Sequence, residues 1–483
     1  MNCLKSLFIK NFAFILIFIF FSCDINEEKP NIIWIVCEDQ STDFFPFYGD
    51  NTAQLPNLEM LAKESVIYTN MHATTPVCAP ARSSIITGMY PTSIGTHNMR
   101  AYSYDLGKKE NQPQINIPIY SSRIAENIPP FTEYMRDQGY FCTNRDKMDY
   151  NFKISENTWD INCHQRMCSK DNLYDRAHWK SRNGNQPFFS VFNLPQTHES
   201  KIWQHNKNDI LVDIKKISPP PYFPNDSVII KDMAINYSNL ILMDEKVGEI
   251  INQLKKDELY EDSYIFFYSD HGGPFPRHKR AIYESGTKVP LLVKFPKSKN
   301  AGKIDNSLLS FVDFAPTVLN ISGSKIPDYI QGKAFIGKNL PKKRNFLITT
   351  SDRFDGQIDR VRAIQNHDFK LIKNYNLNTS HNLDVKYRKN MPMMRRLNNL
   401  FEKNQLNNEQ ERWFLPREEY EFYDLKNDPY ELKNIVENEK YAKLIEEFKF
   451  ELNKWIKLTN DLGEKSEYDL SLIHISEPTR RTT

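Results

Sequence analysis

Short, continuous apolar runs alternate with amphipathic segments over the first two thirds of the chain. The run Asn31–Cys37 (NIIWIVC) is rich in β-branched residues and lacks polar alternation, which is typical of a strand buried on both faces of a sheet. Further strands are expected at Phe188–Asn193, Tyr264–Tyr268 and Leu291–Phe295. Helices are expected at Leu55–Ser65, Ala81–Met89, Ala234–Lys256 and Phe311–Ile321. This alternation predicts an α/β fold with a large, mostly parallel mixed sheet flanked by helices.

The pattern changes after about Lys342. Short strand-like runs then follow at Phe346–Thr350, Val361–Ile364 and Phe369–Lys373, and an amphipathic helix is expected at Tyr441–Ile456. A chain of 483 residues is long enough for one large domain and one smaller domain. We therefore predict an N-terminal catalytic domain over residues 30–342. A smaller C-terminal α+β domain, built on a short antiparallel sheet, is predicted over residues 343–470.

Both ends of the chain are expected to lie outside these domains. Lys5 and Lys10 flank the apolar stretch 12–21, and Cys23 follows, which is the pattern of a signal peptide over residues 1–23. The apolar stretch is too short for a membrane span. A small residue before Cys23 resembles a bacterial lipoprotein cleavage site. Cleavage without lipidation is the alternative. Residues 471–483 fit no element and are interpreted as a non-native tail.

Export predicts a periplasmic location, or a lipoprotein in the outer membrane or at the cell surface of a Gram-negative bacterium. The chain would then touch a membrane only through an N-terminal lipid. Lys and Arg number 63 against 61 Asp and Glu, so no general basic field favours nucleic acid as a partner. In an oxidising compartment Cys163 can pair with Cys168. Separate thiols are the alternative, and no cysteine spacing indicates a zinc site.

Two predicted strands end in adjacent groups that can bind metal. Glu38 and Asp39 follow the first strand, and Asp270 and His271 follow the third. In open α/β sheets, ligands collect beyond the carboxyl ends of strands. Oxygen-rich ligands with one imidazole suit a hard divalent cation, with calcium expected first and magnesium second.

The motif Cys78-Ala-Pro-Ala-Arg82 continues through Ser83-Ser-Ile-Ile-Thr-Gly88 and opens a predicted helix. A helix N-terminus favours an anion. The motif resembles the maturation signature of the type I sulfatases, whose fold is alkaline-phosphatase-like. The resemblance implies that a formylglycine-generating maturation enzyme converts Cys78 to formylglycine (3-oxoalanine). The hydrated aldehyde would attack sulfur, and Arg82 would steady it.

The same resemblance implies further roles. Lys147 matches a lysine that holds a sulfate oxygen, and Asp149 stands where many members have a histidine. His198 would support the leaving group, and Lys279 matches a second active-site lysine. Arg280 is expected to be a solvated cation. The implied metal ligands are Glu38, Asp39, modified Cys78, Asp270 and His271, with Glu38 in place of the usual aspartate. The candidate substrate contacts are Arg100, Arg277, His278, Asp352 and Arg353.

These residues predict an enzyme that hydrolyses sulfate esters, or sulfamates, of sulfated sugars from polysaccharides. The loop around Asp149 resembles the branch that includes heparan N-sulfatase-like enzymes, which adds glycosaminoglycans to the candidate substrates. One alternative is a formylglycine-dependent phosphodiesterase or phosphonate monoester hydrolase. Another is a non-catalytic surface glycan-binding lipoprotein in which Cys78 stays a thiol. Neither the sugar nor the sulfated position follows from the sequence.

Overall fold

The computed structural model describes residues 29–99, 122–163, 173–204, 210–467 and 469–470. A nine-stranded sheet forms the centre of the larger unit, in the order β4-β3-β5-β1-β6-β7-β2-β8, with β9 also paired to β2. Its strands are β1 (Asn31–Cys37), β2 (Val66–His72), β3 (Phe141–Arg145), β4 (Ile161–Cys163), β5 (Phe188–Leu194), β6 (Ser263–Ser269), β7 (Lys288–Lys294), β8 (Ile304–Asp305) and β9 (Leu309–Ser310).

All strands of this sheet run parallel to β1 except β7, which pairs antiparallel with both β6 and β2. The predicted mixed, mostly parallel sheet is therefore confirmed. The apolar runs identified β1, β5, β6 and β7 to within a few residues. They missed β2, whose middle holds Thr69 and Asn70 and whose pairing with β7 shifts register between Tyr68 and Met71.

The helices of the larger unit cover both faces of this sheet. They are α1 (Pro56–Lys63), α2 (Cys78–Thr87), α3 (Phe131–Asp137), α4 (Leu173–Arg176), α5 (Ser200–Trp203), α6 (Ser227–Lys256), α7 (Glu284–Thr287) and α8 (Phe314–Ser322). Ile33 and Ile35 of β1 pack toward α1 and α6. Trp34 and Val36 point the other way, toward α2, α3 and α8. Because both faces are covered, the strand residues alternate between two apolar cores, as the unbroken apolar run indicated.

The smaller unit is built on an antiparallel four-stranded sheet, as predicted, in the order β10-β11-β12-β13. Its elements are β10 (Leu347–Ser351), β11 (Val361–Gln365), β12 (Phe369–Asn374), α9 (Pro392–Glu402), α10 (Asn408–Glu411), β13 (Tyr420–Asp424) and α11 (Ala442–Leu458). Phe448 and Leu452 of α11 pack on Leu371 and Phe422 of the sheet. The segment between β12 and β13 leaves this sheet, and Met393 and Met394 of α9 pack in the core around α6.

Among the described residues, Cys37, Cys78 and Cys142 are buried free thiols, whereas Cys163 is disulfide-bonded. Its expected partner, Cys168, lies outside the described residues, as do the predicted signal peptide with Cys23 and the tail 471–483. No helix within the described ranges combines the length and apolar character that a membrane span requires.

Candidate active site

The carboxyl ends of β1 and β6 lie side by side, because these strands pair in parallel with Cys37 opposite Ser269. Asp39 and Asp270 therefore meet just beyond the sheet, and the Asp39 backbone N–H donates to Asp270 Oδ1 at 3.1 Å. Asp39 has a φ of 54°, a left-handed conformation that costs a non-glycine residue free energy and often marks functional sites. The sequence thus brings two carboxylates together at the sheet edge where ligands bind.

Cys78 is the first residue of α2 and follows the extended residue Val77. The helix therefore begins three residues earlier than the apolar pattern indicated, with Pro80 in its first turn. The Cys78 side chain is buried, and its Sγ lies 3.3 Å from His271 Nε2. The helix N-terminus thus directs the thiol into the group formed by the two strand ends.

One ligand atom from each of Asp39, Cys78, Asp270 and His271 lies within 4.8 Å of the others, and all four residues are buried. Asp39 Oδ1 has no hydrogen-bond partner in the described chain. His271 Nδ1 lies 2.9 Å from the Gly272 carbonyl oxygen, which accepts a hydrogen bond from Nδ1–H. The unprotonated Nε2 then directs its lone pair toward the site, 3.0 Å from Asp39 Oδ1. Buried acceptors that face one another in this way suit a divalent cation. Glu38, Asp39 and His198 form an adjoining group.

Two cations flank these carboxylates. The Arg82 Nε and Nη2 donate to Asp270 Oδ2 at 3.1 and 3.0 Å, and Arg82 Nη1 donates to Asn193 Oδ1 at 2.6 Å. Lys147 Nζ lies 3.0 Å from Glu38 Oε2. Burial alone raises the pKa of the Cys78 thiol, but the ammonium groups of Lys147 and Lys279 outweigh it and hold that pKa well below its usual range. The site is therefore built to stabilise negative charge at position 78.

Lys279 is a third cation beside these carboxylates. Its Nζ donates to Asp39 Oδ2 at 2.7 Å and lies 3.2 Å from Glu199 Oε1 and 3.4 Å from His198 Nε2. Burial opposes the charge on Lys279, but Asp39 overcomes it and raises the pKa of the ammonium group. Lys279 thus remains charged beside His198, where it can neutralise a group that binds between them.

Two family models and two known proteins match the sequence of this chain. The sulfatase family model matches residues 30–324, and a model of the C-terminal region of N-sulphoglucosamine sulphohydrolase matches residues 273–412. An ulvan-active sulfatase of Formosa agariphila is 38% identical, with 92% of this chain and 77% of that protein aligned. The human N-sulphoglucosamine sulphohydrolase is 25% identical, with 86% and 84% aligned. The chain belongs to the sulfatase family. It is a sulfuric ester hydrolase, as the sequence motifs predicted.

Solved structures agree with the sulfatase fold. One, in complex with its substrate D-glucosamine-2-N,6-O-disulfate, has a TM-score of 0.63 at 18% identity and covers 91% of this sulfatase and 100% of that chain. A phosphonate monoester hydrolase from Silicibacter pomeroyi has a TM-score of 0.62 at 13% identity, with coverage of 90% and 97%. At such identities the likeness shows the fold alone.

The structure does not bring two of the expected substrate residues of this sulfatase to the cysteine. The Arg277 guanidinium lies over the rings of Tyr222 and Tyr283, at 4.3 and 4.1 Å, and donates to the carbonyl oxygens of Tyr430 and Glu431. Both side chains, Arg277 and the neighbouring His278, are buried. The imidazole of His278 stacks on the rings of Phe44 and Phe223, and its Nε2 lies 3.0 Å from the Tyr222 hydroxyl. These contacts give both side chains packing roles.

The remaining expected residues are placed as follows. Asp352 is buried against Arg362, with its Oδ1 3.0 Å from Arg362 Nη2. Arg353 pairs with Glu467 at 2.7 Å, and its carbonyl accepts a hydrogen bond from the Met99 backbone N–H. Arg353 thus lies beside the segment that leads to Arg100, which is outside the described residues. Asp149 follows Lys147 in the loop after β3 and is partly buried.

Sequence reasoning missed the buried pair Glu199–Arg280 of this sulfatase. Arg280 was expected to be solvated, but it is only 8% exposed and its two Nη atoms donate to the Glu199 carboxylate at 3.0 and 2.9 Å. The Glu199 backbone N–H also donates to Asp39 Oδ2 at 2.7 Å. The sequence does show one signal for this pair: an acidic residue follows His198 directly, and a second cation follows Lys279 directly.

Proposed function

We propose that this sulfatase hydrolyses sulfate esters of sulfated sugars released from polysaccharides, with formylglycine made from Cys78 as its nucleophile. The observation that carries the proposal is the position of Cys78. It opens α2, touches His271 and lies in one buried group with Asp39 and Asp270. A buried structural thiol needs neither the two carboxylates nor the surrounding cations. A nucleophile that must attack an anionic ester needs both.

The nucleophile forms when a maturation enzyme oxidises Cys78 to an aldehyde, which then adds water. The Sγ of Cys78 marks the place that the hydrate oxygen takes. One hydroxyl oxygen of the hydrate forms a bond to sulfur while the bond from sulfur to the ester oxygen breaks. In net terms the proton of the attacking hydroxyl is transferred to the departing alcohol, and the sulfate remains bonded to residue 78.

Residues of the chain supply the proton and the charge for this step. His198 donates a proton to the departing oxygen, and Lys279, 3.4 Å from its Nε2, neutralises the charge that develops there. Lys147 and Arg82 hold the sulfate oxygens on the other side. In the second step Asp149 accepts the proton of the remaining hydroxyl, the bond from carbon to the sulfate oxygen breaks, and sulfate leaves as the aldehyde reforms.

The four buried ligands fit a calcium ion, and second a magnesium ion, with Glu38 adjoining them. Such an ion supplies positive charge to the sulfate and to the hydrate when bound. Arg82 and Lys147 then complete the neutralisation. The surroundings of Asp270 support this arrangement: burial opposes ionisation and raises the pKa of its carboxyl, but positive neighbours, among them Arg82, which donates to Oδ2, hold that pKa below its usual range. The carboxylate is therefore available to a cation at neutral pH.

The substrate class rests on relatives. The ulvan-active sulfatase at 38% identity supports an O-sulfated polysaccharide fragment. A second candidate is a sulfamate such as glucosamine N-sulfate, which the match to the C-terminal region of N-sulphoglucosamine sulphohydrolase over residues 273–412 favours. Arg100 and Arg353 are proposed to contact the sugar, whereas both carboxylate oxygens of Asp352 accept hydrogen bonds from Arg362. Export through a signal peptide over residues 1–23, with or without lipid on Cys23, would place the enzyme where such glycans occur.

The decisive experiment joins mass analysis with turnover. The protein is produced with and without a maturation enzyme, and the peptide that contains Cys78 is weighed. Conversion replaces sulfur by oxygen and removes two hydrogens. Sulfate release from a panel of sulfated and N-sulfated disaccharides should rise in proportion to the converted fraction, and phosphate diesters should react far more slowly. Full sulfate release by protein with an unaltered Cys78 would disprove the mechanism.

A further inference from the structure

Arg82 and Lys147 approach the same two carboxylates from different elements of the fold. Arg82 projects from α2, and its Nη2 lies 3.0 Å from Asp270 Oδ2 and 3.9 Å from Glu38 Oε1. Lys147 belongs to the loop after β3, and its Nζ lies 3.0 Å from Glu38 Oε2 and 3.8 Å from Asp270 Oδ2. The two cations therefore lie side by side, and their separation depends on what connects α2 to this loop.

Asn193, near the carboxyl end of β5, makes that connection. Its side chain is buried, and its Oδ1 accepts a hydrogen bond from Arg82 Nη1 at 2.6 Å. Its Nδ2 donates to the carbonyl oxygens of Arg145 and Lys147 at 2.8 and 3.3 Å. Because a guanidinium can only donate and a backbone carbonyl can only accept, these partners fix which way the Asn193 amide points. One amide thus holds the Arg82 guanidinium at its oxygen and the backbone around Lys147 at its nitrogen.

Asn144, in β3, holds the same loop from a second side. Its Oδ1 accepts a hydrogen bond from Asn193 Nδ2 at 3.1 Å, and its own Nδ2 donates to the Lys147 carbonyl oxygen at 3.1 Å. The backbone turns directly before Lys147 at Asp146, which has a φ of 76°, a conformation that costs a non-glycine residue free energy. Both asparagine side chains are buried. The position of the Lys147 backbone is therefore set by side chains of β3 and β5.

We propose that Asn193 is a positioning residue that holds Arg82 and Lys147 at the separation at which both bind one sulfate group. This inference rests on the proposed sulfatase reaction and adds how two of its cations are held. Asn193 acts through these two cations rather than on the sulfate itself. Because the guanidinium and the Lys147 backbone are fixed by hydrogen bonds before a substrate arrives, the two positive charges need no rearrangement when the sulfate group binds.

The first test needs no turnover. Binding of inorganic sulfate to the full chain is measured by calorimetric titration in the presence of calcium. Asn193→Ala removes both ends of the connection and should raise Kd for sulfate about tenfold, because the two cations no longer keep their separation. Asn144→Ala leaves the Arg82 contact in place and should give a smaller rise. An equal Kd for Asn193→Ala and the unaltered protein, or no binding of sulfate to the unaltered protein, would overturn the proposal.

Ser190→Ala is the matched control, because it removes a buried hydrogen bond between the same two strands. Thr143 Oγ1 donates to Ser190 Oγ at 2.9 Å, three residues before Asn193 along β5, and both side chains are buried. Ser190→Ala should lower the midpoint of urea unfolding, as Asn193→Ala does, but leave Kd for sulfate within about twofold. An equal rise of Kd in both variants would mean that sulfate binding follows the stability of the strands, and the proposal would be wrong.

The second test uses turnover of a sulfated disaccharide. Asn193→Ala should lower kcat/KM about tenfold to hundredfold. In a Lys147→Ala background the same substitution should cost at least about threefold less, because one of the two groups that it positions is gone. Losses that multiply in full would show that Asn193 does not act through Lys147 and would overturn the inference. If no sulfate ester reacts but Asn193→Ala still weakens sulfate binding, the proposed function fails and the positioning role stands.

Discussion

Glu199 and Arg280 form a bidentate ion pair, with 3.0 and 2.9 Å between their paired atoms. Neither side chain is appreciably exposed. Burial opposes the charge on Glu199, but Arg280 and Lys279 lower the pKa of its carboxyl to about 2. The same carboxylate approaches Lys279, and the Glu199 backbone N–H binds Asp39. This pair therefore sets the positions of two active-site groups without belonging to the expected motifs.

Replacement of Glu199 by Gln should impair both stability and turnover. The variant leaves the Arg280 charge buried without its partner, which costs about 3–5 kcal/mol, and removes one of the two carboxylates near Lys279. We expect urea unfolding at a lower midpoint and kcat/KM reduced at least about tenfold. Glu446→Gln is the matched control, because its pair with Lys449 is exposed and contributes about 0.2–0.5 kcal/mol. Equal behaviour of the two variants would contradict the role given to Glu199.

Removal of divalent cations should lower the thermal stability of the unaltered enzyme. A ligand that binds only the folded state at a hundredfold excess over Kd stabilises it by about 2.7 kcal/mol. Calcium added back after chelation should therefore raise Tm, and magnesium should raise it less because Mg²⁺ demands stricter geometry. Asp39→Asn should abolish this calcium response, whereas Asp160→Asn, which alters a partly exposed pair with Arg136, should keep it. A calcium response that survives in Asp39→Asn would place the ion elsewhere.

Asp232 of α6 should make stability depend on pH. Burial raises the pKa of its carboxyl to about 7, opposed by the hydrogen bond that its Oδ2 accepts from the Met393 backbone N–H. A folded-state pKa above the unfolded value means that Asp232 is tolerated below pH about 4 and destabilises the fold increasingly as pH rises to about 7. Asp232→Asn retains the acceptor without the charge. Its advantage over the unaltered protein should grow across this window to about 2–4 kcal/mol and then stay constant.

The control for this profile is Asp226, at the N-cap of the same helix. There burial raises the pKa of the carboxyl, but hydrogen bonds from the Val228 backbone N–H and the Arg396 side chain together outweigh it and lower that pKa. The contribution of Asp226 is fully present above its unfolded pKa and is lost only as pH falls below it. Asp226→Asn should therefore weaken the fold by the same amount throughout the window in which Asp232→Asn gains. Urea unfolding between pH 4 and 8 measures both variants. Parallel profiles for Asp232→Asn and the unaltered protein would show that Asp232 does not titrate as described.

The strands and the meeting of Asp39 with Asp270 were predictable from sequence because each depends on local order. Asn31–Cys37 is apolar on both faces, and Asp39 and Asp270 are placed by the strands that precede them. The supporting groups were not predictable in the same way. Arg280 pairs with Glu199 across 81 positions, and Arg388 reaches the Lys279 carbonyl oxygen from a segment inserted between two strands of the other sheet. Hydrophobic periodicity along the chain does not predict such long-range contacts between polar side chains.

Arg277 was predicted to contact substrate, but the structure gives its side chain a packing role. A cation a few residues after Asp270 and His271 indicated substrate contact. However, Arg277 has a φ of 62°, and its guanidinium lies over the rings of Tyr222 and Tyr283, inside the protein. Arg277→Met should keep the packing volume but lose the cation–π contacts and two hydrogen bonds, which lowers the free energy of unfolding by about 2–4 kcal/mol. KM for sulfated disaccharides should stay within about twofold, because no reacting group is touched. Arg353→Met offers the comparison on the sugar side, where KM should rise. A raised KM with unchanged stability in Arg277→Met would restore the substrate role that the sequence indicated.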